Sequence, residues 1–129
     1  MEESFIKNFI SKKYRDRFLY ESTSAKKRNK FLDRFAHVNE PIFVEAFIIK
    51  QGKFSDEEGE ATIQNYCSMR EMAYIIGTEY DKMKMPILEA LKICRKSYEP
   101  VILICSEKLI YIKTETDFGS AYKYVLLKK

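Results

Sequence analysis

The chain has no tryptophan, one histidine, three cysteines and four glycines, and these shortages exclude more than the abundant residues establish. His37 is the sole imidazole, so a zinc site would have to join it to Cys67, Cys94 and Cys105. None of the four stands at ligand spacing and no CxxC pair occurs, which leaves a metal centre without a framework. Gly52, Gly59, Gly77 and Gly119 are scattered, so neither glycine-rich phosphate motif can be drawn. There is no Gly-x-Ser-x-Gly elbow, and no serine or cysteine has a base beside it in sequence. No cofactor is expected. No apolar run approaches the roughly 20 residues of a membrane span. The first residues are no signal peptide either, since Glu2, Glu3, Lys7 and Asn8 break up the apolar positions. An odd number of unpaired thiols without such a leader suits a reducing compartment, so a cytoplasmic protein is expected.

What the chain does contain is apolar and aromatic. Of 129 residues, 46% are hydrophobic, with nine Tyr and nine Phe. That is enough to close a core in a single domain without metals or disulfides. The clearest signal lies in the last third. Val101 to Cys105 is a continuous apolar run, and Leu109 to Thr114 is a second of strand length. Only Ser106-Glu107-Lys108 separates them, so they read as an antiparallel hairpin. After a loop from Glu115 to Ser120 the chain alternates again. Tyr122, Tyr124 and Leu126 take one face, and Lys123, Val125 and Leu127 the other. Lys128 and Lys129 would discourage edge pairing were this an outer strand. Such a layer cannot cover its own faces, so upstream helices must.

Those helices are legible in part. Residues 2–20 carry a stripe of Phe5, Ile6, Phe9 and Ile10, continued by Tyr14 and Phe18, with a curve or a bend near Ser11. A second helix over about 25–37, capped by Ser24, completes a helical hairpin in residues 1–38. In residues 39–129, Ile42 to Ile49 reads as a strand, with a helix begun by Pro41 as its competitor. Ser55-Asp56-Glu57-Glu58 is a capping box opening a helix to about 67. Met72 to Ile76 reads as a strand stopped at Gly77, and Thr78 to Met85 as a polar loop. Pro86 opens a helix whose apolar face is Ile87, Leu88, Leu91 and Cys94. If both flanking segments are strands, 72–105 is a strand–helix–strand unit with a parallel crossover. The fold class is α+β: an N-terminal helical hairpin, then helices packed on a mixed, mainly antiparallel sheet of about five strands.

The formal charge is +4, and all of it lies at one end. Residues 1–40 hold ten Lys/Arg against six Asp/Glu, and the rest hold thirteen of each. Lys26, Lys27, Lys30 and Arg34 form a basic stripe that can dock a phosphate backbone, although a solvated helix face is the plainer explanation. Glu115 and Asp117, with Ser120 nearby, are the weak candidates for catalytic carboxylates, because loops between strands carry sites. Glu45 stands alone in an apolar segment and needs either a partner or an outward direction. Tyr122 and Tyr124 can serve as stacking platforms or as core aromatics.

By elimination, the expectation is a small cytoplasmic, non-enzymatic binding protein. It would be a regulator, inhibitor or adaptor acting on a protein partner or on its own copy. One alternative is a nucleic-acid binder using the basic N-terminal helices. A second is an enzyme with carboxylates in the 115–120 loop.

Overall fold

In the computed structural model, which describes residues 1–116 and 121–129, the apolar runs of the last third form the middle of a six-stranded sheet. The strands are β1 (Ile48–Gly52), β2 (Met72–Ile76), β3 (Lys84–Pro86), β4 (Val101–Ile104), β5 (Leu109–Lys113) and β6 (Lys123–Leu127). Their order is β1-β6-β5-β4-β2-β3, and every neighbouring pair is antiparallel. The α+β class matches the sequence reading, with one strand more and no parallel pairing. The added strand, β3, has three residues, too few to show a period of two.

That short strand also corrects the expected crossover. Segments 72–76 and 101–104 are antiparallel, not parallel. β3 turns the chain back along β2 before α5 (Ile87–Lys96) begins. The helix therefore links β3 to β4, which run in the same direction with β2 between them. The C-terminal strand differs from expectation too. β6 lies inside the sheet between β1 and β5, so Lys128 and Lys129 guard no edge.

The helices cover both faces. Even-numbered residues of β4 to β6 (Ile102, Ile104, Ile110, Ile112, Tyr124 and Leu126) face α1 (Glu2–Phe9), α2 (Lys12–Thr23) and α3 (Arg28–Asp33). This half of the core is phenyl-rich. Phe31 and Phe35 meet edge-on at 5.3 Å, Phe18 contacts both, and Phe43 bridges from Phe35 to Tyr124 at 4.9 Å. Such pairs add roughly 0.5–1.5 kcal/mol each beyond burial. The odd-numbered face packs on α4 (Asp56–Gln64) and α5 through Ile63, Ile87, Leu91 and Cys94. Ser55 caps α4 as its sequence predicts, accepting from the Glu58 N–H at 3.1 Å.

The N-terminal hairpin is three helices. The first breaks at Ile10-Ser11, where the predicted bend falls, and the freed backbone groups go to the segment after Pro41. Ser11 N–H donates to Ile42 O at 2.7 Å, and Val44 N–H to Phe9 O at 2.8 Å. The apolar run from Ile42 to Ile49 is thus mostly not a strand. It straps the helix break at Phe43, makes a 3-10 turn at Glu45–Phe47, and joins the sheet only from Ile48. Ser24 ends α2 instead of capping the next helix, and α3 has no side-chain cap.

One ion cluster fixes these helices to the sheet. Arg28 donates to Asp81 at 2.8 and 3.1 Å, to both Glu2 carboxylate oxygens, and to Ser22 O at 2.9 Å. Tyr74 donates its hydroxyl to Glu2 at 2.7 Å, and the Gly77 N–H donates to Asp81 at 2.7 Å. Burial works against the charge on Arg28, but the two carboxylates outweigh it and hold its pKa above the ordinary value.

Candidate functional site

The antiparallel register of β5 and β6 sets two lysines side by side. On the face toward α4 and α5 the series are Leu109-Tyr111-Lys113 and Lys123-Val125-Leu127, and Lys113 is paired with Lys123. Residues so placed have Cβ atoms roughly 5 Å apart, and like charges there are destabilising. Both residues are buried, at 5% and 3% exposure, where an ammonium survives only with partners. Lys113 Nζ donates to the carbonyls of Cys94 and, at 2.8 Å, Ser97. Cys94 lies in the last turn of α5 and Ser97 is its C-cap, where helix carbonyls are least satisfied by the helix itself. Lys123 Nζ donates to Phe54 O at 2.6 Å and stands 3.6 Å from the Asp56 carboxylate. Burial pulls the Lys113 amine below its ordinary pKa; the Asp56 charge opposes this and Lys123 adds to it.

A polar cavity of about 580 Å³ opens over the pair. Its walls are the start of α4 at Asp56 and Glu57, the end of α5 at Arg95 and Lys96, and Thr116. Arg95 is held by Glu60 at 2.8 Å. The Thr116 side-chain hydroxyl is buried and has no hydrogen-bond partner among the described residues, although its N–H donates to Tyr98 O at 3.0 Å. On the other side of Tyr98 lies a mainly apolar groove of about 570 Å³, lined by Tyr80, Ile93 and Lys92. Lys96, Ser97 and Tyr98 line both depressions, and Tyr98 is 75% exposed. Among the described residues Tyr98 is the most exposed of the large hydrophobic side chains, and it stands between an apolar groove and a cationic cavity.

The residues singled out in the sequence lie elsewhere. Lys26, Lys27 and Lys30 are exposed around the start of α3, the first two in the turn before it. Arg34 does not stand free beside them. It is paired with buried Glu21 at 2.9 Å and lies over the Phe18 ring. Glu115 pairs with His37 at 3.1 Å, both near half exposed at 42% and 56%. Asp117 and Ser120 lie outside the described residues. Glu45 is exposed in its 3-10 turn. Tyr124 belongs to the core, while Tyr122 is 38% exposed. Cys94 and Cys105 are buried and Cys67 is partly so; burial raises all three thiols, Cys94 to about 12. Among the described residues no three His, Cys, Asp or Glu side chains gather at metal-ligand spacing. No helix among them is long and apolar enough to cross a membrane.

The lysine pair had a signal in the sequence. Each lysine extends an apolar face by one step of two, and each ends its strand on the side of the connecting loop. A hairpin closed by that loop puts them opposite each other. Compared with protein families, curated proteins and solved structures, the chain shows no significant match.

Proposed function

We propose that this is a cytoplasmic, non-enzymatic binding protein that takes a protein partner at the surface around Tyr98. The observation that carries the reading is the exposed Tyr98 ring between an apolar groove and a cationic cavity. A tyrosine contributes large contact area at little entropic cost, and aromatic residues with a polar surround are the anchors of protein interfaces. The stems of Lys92 and Lys96 extend the apolar floor while their charges reach solvent. A segment with an apolar anchor and acidic neighbours fits both halves of this surface.

The test is affinity capture followed by calorimetry on the partner recovered. Tyr98→Ser is expected to weaken binding by about tenfold or more, with little change in the thermal midpoint because Tyr98 is 75% exposed. Full affinity in Tyr98→Ser would overturn the reading, as would a monomeric protein that retains no partner. A second reading has one observation in its favour: Lys26, Lys27 and Lys30 are exposed and form no salt bridge among the described residues. Nucleic-acid binding there would weaken steeply with salt and be lost in Lys26→Glu/Lys30→Glu. A gel shift indifferent to both would remove it.

A further inference from the structure

We infer that the cavity over Lys113 and Lys123 is a binding site for a tetrahedral oxyanion, the phosphate group of a small ligand. This goes beyond the protein-binding reading and does not depend on it. Charge is the first support. Two ammonium groups are buried at paired register positions, and among the described residues Asp56, at 3.6 Å from Lys123, is the one carboxylate paired with either. A buried cation left over in this way is costly unless an anion answers it.

Donor capacity is the second. Each ammonium has three N–H donors. Lys113 uses two of them on the Cys94 and Ser97 carbonyls, and Lys123 uses one on Phe54 O. Among the described residues, and beyond the Lys123–Asp56 pair, each lysine keeps a donor in hand where it lines the cavity. The third support is independent of charge. The Thr116 hydroxyl lines the same cavity, buried and without a partner among the described residues, where native structures satisfy nearly every such group. Arg95 and Lys96 stand at the rim and complete donors on more than one side. Asp56 and Glu57 oppose an anion near the start of α4, which places it on the side of Lys113 and Thr116. Donors from several directions suit a tetrahedral group better than a planar carboxylate.

The experiment titrates the full chain with inorganic phosphate, following the thermal midpoint and amide NMR shifts, with sodium chloride at matched ionic strength and acetate as controls. The expected result is a saturating rise of the midpoint with phosphate alone, with shifts centred on residues 95–98 and 113–116. Thr116→Val is expected to weaken phosphate binding by about fivefold while leaving the ligand-free midpoint equal or higher, since the hydroxyl has nothing to lose. Lys113→Met is expected to abolish binding. Should that variant fail to fold, Thr116→Val and Arg95→Gln, which touch no core contact, still decide the matter. Lys92→Gln, which lies in the apolar groove and not in the cavity, is expected to bind phosphate normally, which separates this site from the groove. Phosphate that stabilises no more than chloride, acetate that works as well, or Thr116→Val with wild-type affinity would each overturn the assignment.

Discussion

Two glycines with positive φ offer a controlled measurement of how tightly β2 and β4 are held together. Gly52 (φ +131°) ends β1 and Gly77 (φ +102°) follows β2. An L residue is strained at either position, by about 1–3 kcal/mol. Their surroundings differ. A Cβ at Gly52 meets nothing within 4 Å, whereas one at Gly77 falls 2.7 Å from the Pro100 carbonyl oxygen. That oxygen is backbone at the mouth of β4, next to residues whose ladder pairs Ile76 with Ile102. It cannot rotate aside as a side chain does. Relief requires moving a strand, which costs about 1–3 kcal/mol by analogy with overpacked cores. Alanine also stiffens the unfolded chain, by a similar amount at each site, so that contribution cancels in the comparison. Gly52→Ala should then cost about 1–2 kcal/mol and Gly77→Ala about 3–5 kcal/mol. In urea titrations with slopes of about 2 kcal/mol/M, the two midpoints should differ by roughly 1 M. Equal midpoints, with both proteins folded and slopes unchanged, would refute the claim that the strand opening is rigid.

Other perturbations test the remaining contacts. Arg28→Met strands Glu2 and Asp81 and should cost about 2–4 kcal/mol in urea unfolding, with partial recovery when Glu2→Gln and Asp81→Asn are added. Burial alone would raise the Asp81 carboxyl, but Arg28 and the Gly77 N–H outweigh it and hold its pKa below the ordinary value. Because the folded-state pKa is the lower one, this stabilisation is complete above the unfolded value of about 3.9 and is lost as pH falls through the folded one. Asp81→Asn should therefore flatten the acid limb of a stability–pH profile below about pH 4. Thiol labelling at pH 8 should modify Cys67 first, while Cys94, its pKa pushed up to about 12 by burial, and Cys105 react only on unfolding.

How much was legible in the sequence depended on how far each segment's environment is written in its own residues. β4 and β5 were plain because both faces are buried and no polar residue interrupts them. The Ser55 cap was plain because its partner is three residues away. The run from Ile42 to Ile49 misled because its hydrophobicity serves a helix break thirty residues upstream, a demand no local window contains. β3 escaped because three residues show no periodicity, and the direction of β4 relative to β2 was lost with it. Arg34 read as a docking charge because its neutraliser, Glu21, belongs to the preceding helix. Lys113 and Lys123 are each legible at the end of an apolar strand face, but the register of β5 against β6 is what makes them a pair.

The separation between the N-terminal phenyl rings and the strands that bury them has a consequence during synthesis. Phe5 to Phe35 leave the ribosome before the buried strand residues of their cluster, which begin at Ile76 and end at Leu126. At about 5–20 residues per second, the nascent chain carries that aromatic face uncovered for on the order of ten seconds. Translation speed and chaperone supply therefore bear on the yield of this protein more than its final compactness suggests.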